Sequence, residues 1–421
     1  MPTPKEILKT YFNHNDFHLN QEQAINTILK NEDVLILMPT GGGKSICYQI
    51  PALILNGTAI IISPLISLMK DQVDSLKSKK IKADFLNSTV PYEKRLEITN
   101  NLKTNNLDLL YLSPEKLFWN NNKFLGFLKT INISLFAIDE AHCISQWGYD
   151  FRPEYLKLSL LKKYFPSVPT IAVTATADEY TRKDIIEKLS IKNSKIFVSG
   201  FNRKNIYYYI QPVSDKHDIY KKIANYLRKH RNDSGIIYTF TRSEATILAD
   251  TLSQIGFSAK PYHAALLRDV RDKNQRAFMN GEVKIIVATI AFGMGINKPN
   301  IRFVLHTSIP RNIENYYQET GRAGRDGLKS EVILFYNKWR ANDKKKFIIS
   351  NIKDPEKKEI EIKKLEKMIE FCKIRTCRRK FLLECFGESI SDHCEKCDIC
   401  INRNKGIIPK IYQTLSRKSV I

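Results

Sequence analysis

The sequence has no long hydrophobic run. Its most apolar region, residues 51–69, is interrupted by polar residues at 56–58 and by Ser63, Pro64 and Ser67, whereas a bilayer span takes about 20 apolar residues. The first ten residues, MPTPKEILKT, also lack the apolar core of a secretory signal. These absences exclude a membrane partner and a secreted protein, and we expect a cytoplasmic one.

Acidic residues are in the minority. The 421 residues include 44 Asp and Glu against 67 Lys and Arg, which gives a net charge of +23. Such an excess predicts a polyanionic partner, nucleic acid first. The alternative is that a chain rich in Lys, Asn and Ile reflects a biased genome, and charge alone leaves both explanations open.

The cysteines are not spread along the chain as a disulfide framework would require. Five of the eight fall between residues 377 and 400. Four of these five have the spacing of metal ligands: Cys377, Cys394, Cys397 and Cys400. Two Cys-x-x-Cys steps that share Cys397, with one cysteine upstream, supply four thiolates and predict a tetrahedral zinc site. The spare Cys372 and Cys385 are expected to be packed.

Short β-branched runs recur with helix-length segments between them, which is typical of βα units around a parallel sheet. The first series comprises residues 33–38, 58–63, 108–112, 135–139 and 170–174, and the second comprises 235–240, 284–289, 302–306 and 331–336. Two α/β domains are therefore predicted, joined near residues 200–205.

The expected domain limits follow from these series and from a change of pattern near residue 340. There the chain becomes charged and helical, with Leu365, Met368, Ile369 and Cys372 at helical spacing after Pro355. We predict a first domain over 1–201, a second over 202–340, a helical zinc-binding module over 341–405 and a short tail over 406–421.

A glycine-rich stretch, MPTGGGKS at residues 38–45, follows the first predicted strand. Glycine N–H groups and the start of the next helix can bind phosphate, Lys44 can reach the β and γ phosphates, and Ser45 can ligate Mg²⁺. The strict motif would have glycine where Met38 stands, but that position only begins the turn. The alternative is a tight strand-to-helix connection without a ligand. The predicted nucleotide-binding residues of the loop are Thr40, Gly41, Gly42, Gly43, Lys44 and Ser45.

An acidic pair completes such a site. In LFAIDEAH, Asp139 at the end of a predicted strand can hold Mg²⁺, and Glu140 can orient or deprotonate the attacking water.

Five strings occur in one order along the chain: MPTGGGKS, DEAHCISQWGYDFRPEY, TATA, VATIAFGMGINKPN and YYQETGRAGRDG. This order resembles the superfamily 2 helicases, and specifically the RecQ family, over about residues 5–405. The resemblance implies two RecA-like lobes with ATP between them, an ATP-dependent DNA helicase with 3′-to-5′ polarity, and ATP, Mg²⁺ and Zn²⁺ as cofactors.

The resemblance also implies roles for single residues. Arg322 and Arg325 of the second lobe would approach the γ-phosphate, with Arg325 as the arginine finger and Gln318 as a companion. His142 would sense the nucleotide, and Thr174 and Thr176 would couple the lobes.

Between the acidic pair and Thr174 lies CISQWGYDFRPEY, which matches the aromatic-rich loop of the family that senses single-stranded DNA. Trp147, Phe151 and Arg152, together with Tyr149 and Tyr155, would stack bases and hold phosphate. The alternative is that Trp147 and Phe151 belong to the core. Residues 63–72 and 113–115 are assigned to strand tracking by family position only.

The nucleobase end departs from the family pattern Phe-Arg-x-x-Gln. This chain has His18 in place of Arg and His14 where an aromatic residue commonly stacks. Gln21 can still pair with an adenine edge, so the departure puts adenine preference in question.

The expected function is an ATP-dependent DNA helicase that acts on single-stranded DNA and 3′-tailed duplexes as a monomer, in recombination and repair. An RNA helicase of the same superfamily and an ATP-gated single-strand binder are the alternatives. Because only 16 residues follow the zinc module, a core-only form without a winged helix is expected.

Overall fold

The apolar runs of the sequence form strands of two parallel sheets in the computed structural model of the chain. The structure describes residues 2–39, 42–64, 66–87, 90–145, 151–175, 177–198, 200–293, 298–390 and 392–404. The chain divides into two compact units, the first spanning Met1–Phe201 and the second beginning at Asn202. The predicted α/β fold class is confirmed, while the limits of the zinc module and tail stay predictions.

The first unit contains a seven-stranded sheet with the order β3-β4-β2-β5-β6-β1-β7, in which neighbouring strands run parallel. The strands are β1 (Val34–Leu37), β2 (Thr58–Ile62), β3 (Ala83–Leu86), β4 (Leu109–Leu112), β5 (Ile133–Ile138), β6 (Thr170–Thr174) and β7 (Lys195–Val198). The helices are α1 (Pro4–Phe12), α2 (Gln21–Leu29), α3 (Ile46–Ile54), α4 (Ile66–Ser78), α5 (Tyr92–Lys103), α6 (Pro114–Leu117), α7 (Trp119–Leu128), α8 (Ser159–Tyr164) and α9 (Glu179–Lys188), with 3₁₀ helices at Ala141–Ile144 and Pro153–Leu158.

The core of the first unit lies on the central strands. Every residue of β1, β2, β4 and β6 is buried, as expected for parallel strands that are covered by helices on both faces. Parallel strands place their carboxyl ends at one edge, so β1 and β5 deliver the loops that follow them to the same side of the sheet.

The second unit contains a six-stranded sheet with the order β10-β11-β9-β12-β13-β8, again parallel. Its strands are β8 (Ile206–Pro212), β9 (Ser234–Tyr238), β10 (Ala259–Tyr262), β11 (Ile285–Ala288), β12 (Ile301–His306) and β13 (Ser330–Tyr336). Its helices are α10 (Lys216–Lys229), α11 (Arg242–Gln254), α12 (Arg268–Asn280), α13 (Ile313–Thr320), α14 (Lys338–Asn351), α15 (Pro355–Lys373), α16 (Arg378–Glu384) and α17 (Asp398–Asn404).

Residues 394–400, the cysteine-rich segment, pack along β8, which is one of the two edge strands of the second sheet. The Tyr208 amide donates to the Lys396 carbonyl over 3.1 Å, and the Ile210 amide donates to Asp398 Oδ2 over 3.1 Å. Tyr208 and Cys397 also form a parallel bridge. The outer edge of β8 therefore finds partners for two of its N–H groups in this segment.

Within the described ranges, no helix combines the length and the apolar character that a membrane crossing would require.

Candidate nucleotide, nucleic-acid and zinc sites

The glycine-rich loop begins after a residue that still belongs to the core. Met38 is fully buried, its amide donates to the Thr174 carbonyl over 3.1 Å, and its Sδ lies 4.0 Å from Cys47 Sγ. Met38 thus extends β1 beside β6, and the turn starts only beyond it. Glycine is not required at position 38, which explains why the departure from the strict motif leaves the loop intact.

Further along this loop, Gly43 needs to be glycine. Its φ is +76°, and a Cβ there would lie 2.4 Å from Gln21 Nε2. The Gly42 amide donates to the Pro39 carbonyl over 2.9 Å, and Lys44 Nζ donates to the Met38 carbonyl over 3.3 Å. Ser45 is the N-cap of α3, so Lys44 and Ser45 stand where the helix begins. Thr40 and Gly41 lie outside the described residues.

Gln21 contacts the loop itself. Its Nε2 donates to the carbonyls of Gly42 and Gly43 over 3.2 and 3.1 Å, and its Oε1 accepts from the His18 amide over 2.9 Å. The residue is buried. The structure therefore places the predicted adenine reader against the phosphate loop, while the rings of His14 and His18 meet edge-on with centroids 6.3 Å apart.

The acidic pair stands at the carboxyl end of β5. The Asp139 amide donates to the Ile62 carbonyl over 2.8 Å, and Asp139 Oδ1 accepts from the Glu140 amide over 3.0 Å. Burial, followed by the charge of Glu140, raises the pKa of Asp139 to about 7, and the charge of Lys44 opposes the shift. A buried carboxyl next to a second carboxylate and a lysine is suited to hold a cation.

Glu140 has a left-handed backbone, with φ 47° and ψ 47°. This conformation is uncommon for a residue other than glycine, and strained residues of this kind cluster at functional sites. Glu140 immediately precedes the 3₁₀ helix Ala141–Ile144, and its left-handed conformation turns the chain from the end of β5 into this helix.

His142 connects the acidic pair to the end of β6. Its Nδ1 lies 2.8 Å from Thr174 Oγ1 and 3.4 Å from Glu140 Oε2, and the ring is fully buried. Burial, with smaller contributions from the charges of Lys44 and Arg152, lowers the pKa of His142 to about 3. The ring is therefore neutral at physiological pH, and its contact with Glu140 is not an ion pair.

The described part of the predicted aromatic loop divides into two environments. Phe151 and Arg152 are half-buried, and Arg152 Nη1 donates to the Pro64 carbonyl over 2.8 Å. Tyr155 is fully buried, and its hydroxyl donates to the Asp139 carbonyl over 3.1 Å. The prediction that Tyr155 faces DNA is wrong, because its ring is packed beneath the acidic pair. Trp147, Tyr149 and Thr176 lie outside the described residues.

In the second unit, the three predicted catalytic residues lie on α13 and the loop after it. Gln318 and Arg322 are buried, with exposed fractions of 8% and 3%, and Arg325 is half-buried. A Cβ at Gly293 would lie 3.7 Å from Arg322 Nη2, and Arg322 Nε is buried without a hydrogen-bond partner among the described residues. A buried guanidinium with an unused donor is suited to an anion.

The four predicted zinc ligands meet in one cluster. The sulfur atoms of Cys377, Cys394, Cys397 and Cys400 all lie within 4.8 Å of one another. Tetrahedral zinc with Zn–S bonds of about 2.3 Å separates its sulfurs by about 3.8 Å, so the cluster fits the ion. Cys372 is buried and Cys385 is half-buried, and neither belongs to the cluster.

Backbone amides support this cluster. The Lys380 amide points at Cys377 Sγ over 3.5 Å, and the Lys396 amide points at Cys394 Sγ over 3.4 Å. Hydrogen bonds from Cys394 and Cys397 lower the pKa of the Cys377 thiol well below its usual range, and the same contacts raise the pKa of the Cys394 thiol. Without a metal ion the cluster therefore favours one thiolate, at Cys377, and the two amides support the sulfurs of Cys377 and Cys394.

Comparison with known proteins identifies three regions of the chain. Residues 18–185 match the DEAD/DEAH box helicase family, residues 218–327 match the helicase conserved C-terminal domain, and residues 341–401 match the RecQ zinc-binding family. The chain is 45% identical to the ATP-dependent DNA helicase RecQ of Haemophilus influenzae over 99% of its own length and 67% of that protein. The chain belongs to the RecQ helicase family.

Other matches agree with this RecQ assignment. The ATP-dependent DNA helicase RecQ of Bacillus subtilis is 42% identical over 94% of this chain and 66% of its own length. The chain thus spans about two thirds of these two curated RecQ relatives. Among solved structures, the DUF1998 helicase MrfA bound to DNA has a TM-score of 0.65 and 18% identity, covering 93% of this chain and 57% of that one. At that identity the likeness concerns the fold alone.

Two features of this RecQ-family site were missed by sequence reasoning. Tyr155 supports the acidic pair through the Asp139 carbonyl, and Gln21 holds the carbonyls of the phosphate loop. The family pattern Phe-Arg-x-x-Gln identified Gln21 as a candidate adenine contact, but a sequence pattern does not reveal its bonds to the Gly42 and Gly43 carbonyls.

Proposed function

We propose that this chain is an ATP-dependent DNA helicase that translocates 3′ to 5′ on single-stranded DNA and unwinds tailed duplexes as a cytoplasmic monomer in recombination and repair. The observation that carries the proposal is the direct link from the acidic pair to Thr174. His142 contacts both Glu140 and Thr174, and the Thr174 carbonyl accepts from the amide of Met38, which directly precedes the phosphate loop. A change in the nucleotide bound at the loop would therefore reach β6 through two contacts of Thr174, one with Met38 and one with His142.

In this proposal the chain binds and orients MgATP. Lys44 would contact the β and γ phosphates, and Ser45 and Asp139 would hold Mg²⁺, which would supply positive charge at the transferring phosphate. Glu140 orients the attacking water. Gln318, Arg322 and Arg325 of the second unit are the further residues proposed for hydrolysis, with Arg325 as the arginine finger.

In this proposal the Gln21 side chain can bind adenine only if it first gives up its present hydrogen bonds. Its amide is occupied by the Gly42 and Gly43 carbonyls and by the His18 amide. Reading an adenine edge would release these bonds, so nucleotide binding and loop conformation are coupled at this residue.

Single-stranded DNA is proposed to act on the contacts that join Glu140, His142 and Thr174. Trp147 and Phe151 stack on bases, and Arg152 lies near phosphate. Arg152 already bonds the Pro64 carbonyl, which belongs to the segment assigned to strand tracking. The Arg152 amide also donates to the carbonyl of Cys143, the neighbour of His142, over 2.9 Å, so contact with DNA would be transmitted from the 151–152 segment to His142 and Thr174.

Strand separation on tailed substrates tests the proposal. With ATP and Mg²⁺, we expect unwinding of a 3′-tailed DNA duplex, with much less of a 5′-tailed or blunt one, and stronger ATPase stimulation by DNA than by RNA. Stronger stimulation by RNA would favour an RNA helicase. DNA-stimulated ATP hydrolysis with no strand separation on any substrate would favour an ATP-gated single-strand binder.

A further inference from the structure

The backbone of the loop that carries Arg322 and Arg325 is held by one arginine side chain. Arg203 Nη1 donates to the Gly321 carbonyl over 3.2 Å. Arg203 Nη2 donates to the carbonyls of Ala323 and Gly324, each over 2.8 Å. A single guanidinium therefore fixes the carbonyls on both sides of Arg322 and the one that precedes Arg325.

The same loop is held by a second side chain and by close packing at Gly324. Asn205 Nδ2 donates to the carbonyls of Gly324 and Leu328 over 2.8 and 2.9 Å. Gly324 has φ +56°, and a Cβ there would lie 2.4 Å from Asn205 Nδ2 and 2.6 Å from Ser330 Oγ. The segment at the start of the second unit is thus packed tightly against the loop.

Arg203 is itself held from the zinc-binding region. Arg379, which is 3% exposed, donates from Nη1 to Asn202 Oδ1 over 2.9 Å and to the Arg203 carbonyl over 2.5 Å, and from Nη2 to the Ile206 carbonyl. Arg379 lies on α16, whose N-cap is the cluster residue Cys377. Residues 202–206 therefore lie between α16 and the arginine loop.

We propose that Arg203 is a positioning residue for ATP hydrolysis, which sets the location of Arg322 and Arg325, and that Arg379 holds Arg203 for this task. The planar guanidinium presents its donors in a fixed fork, which a lysine ammonium cannot reproduce. Misplacement of a catalytic group by about 1 Å can cost 100-fold in rate. The inference rests on the proposed function, in which Arg325 stabilises the transferring phosphate.

Steady-state ATPase kinetics of Arg203→Gln and Arg203→Lys test this role, with Arg228→Gln as the matched control because Arg228 lies on α10 and contacts only Asn225 among the bonds described. We expect kcat with saturating single-stranded DNA to fall about 10- to 100-fold in Arg203→Gln and less in Arg203→Lys. The KM for ATP should change less than about threefold, because a transition-state interaction is lost rather than ground-state binding. Zinc content and melting temperature should match the control.

A double-substitution cycle separates positioning from general weakening of the fold. In an Arg325→Ala background, Arg203→Gln should have little further effect on single-turnover hydrolysis, because both substitutions remove the same interaction. Asn205→Ala, which frees Gly324 and Leu328 of one donor, provides a second variant if Arg203→Gln does not fold.

Three outcomes would overturn the inference: an unchanged kcat, additive losses in the cycle, or a kcat loss matched by equal losses of zinc and DNA binding. If the proposed function itself is wrong, the unsubstituted chain will show no DNA-stimulated ATPase. This result is distinct from the three outcomes above.

Discussion

At the scale of single residues, the catalytic end of the first sheet depends on burial as much as on charge. Burial is the first cause of both the lowered pKa of His142 and the raised pKa of Asp139. Since His142 is fully enclosed and neutral near pH 7, its bond to Thr174 Oγ1 does not depend on proton uptake in the physiological range. The bond between His142 and Thr174 should therefore persist from pH 6 to 8.

Thr174→Val tests this link, because valine keeps the volume of threonine and removes the hydroxyl that contacts His142 Nδ1. We expect basal ATPase to persist while stimulation by single-stranded DNA falls several-fold at every pH between 6 and 8. Thr58→Val is the matched control, since Thr58 is also a buried strand residue and bonds the Leu107 carbonyl instead. An unchanged stimulation ratio in Thr174→Val would remove the link from the mechanism.

Lys44→Ala should reduce ATP hydrolysis on the order of 100-fold, because the substitution removes the cation that stabilises the transferring phosphates. Single-stranded DNA binding, measured by fluorescence anisotropy without nucleotide, should remain. Lys9→Ala, on the exposed side of α1, controls for the loss of one positive charge. Hydrolysis at the parent rate would contradict the assignment of the phosphate loop.

Motifs predicted which residues are candidates for the chemistry, whereas the bonds from side chains to backbone carbonyls could not be predicted. The phosphate loop, the acidic pair and the four cysteines follow motifs because ligand chemistry fixes both residue type and spacing. Arg203 and Gln21 act on carbonyl oxygens, which every residue possesses, so no sequence pattern marks their partners. Tyr155 was misplaced because an aromatic residue beside a loop can point to the core as readily as to solvent.

At the scale of elements, the predicted strands are the central ones and the missed strands are edges. All nine predicted runs form strands, whereas β3, β7, β8 and β10 were not predicted and stand at the ends of the two sheets in the described part of the chain. Central parallel strands are covered on both faces and appear as continuous apolar runs. Edge strands are partly exposed: β7 has no buried residue and β10 contains Pro261, which edges tolerate.

The helix predicted after Pro355 is present as α15, capped by Asp354 through the amides of Glu356 and Lys357. Its buried side includes Leu365, Met368 and Cys372 as expected, together with Phe371. The period predicted the helix and its buried face, since both follow from 3.6 residues per turn.

Zinc is expected at one ion per chain. Cys397→Ser should lower zinc content, measured by elemental analysis, and should lower the melting temperature by about 5 °C or more, because structural zinc supplies folding energy. Cys385→Ser removes a half-buried thiol outside the cluster and should leave zinc content unchanged. Zinc-free protein after gentle purification, with the melting temperature of the parent, would contradict the site.

At the scale of the whole molecule, a net charge of +23 predicts electrostatic attraction to nucleic acid. If this charge serves nucleic-acid binding, affinity for single-stranded DNA should fall at least tenfold between about 50 and 200 mM salt through release of counterions. The logarithmic slope, divided by about 0.7, then counts the phosphates neutralised. Affinity that is insensitive to salt would favour the alternative, in which the basic composition is a by-product of a biased genome.

The contact between the cysteine-rich segment and β8 predicts how the protein behaves when its metal is removed. β8 reads IYYYIQP, an aromatic and β-branched strand, and the Tyr208 and Ile210 amides on its outer edge are bonded to Lys396 and Asp398. If the metal is withdrawn and this segment detaches, the strand presents unpaired N–H groups that can pair with the same strand of another molecule. Metal-depleted protein should therefore leave solution as β-rich aggregate rather than persist as an inactive monomer.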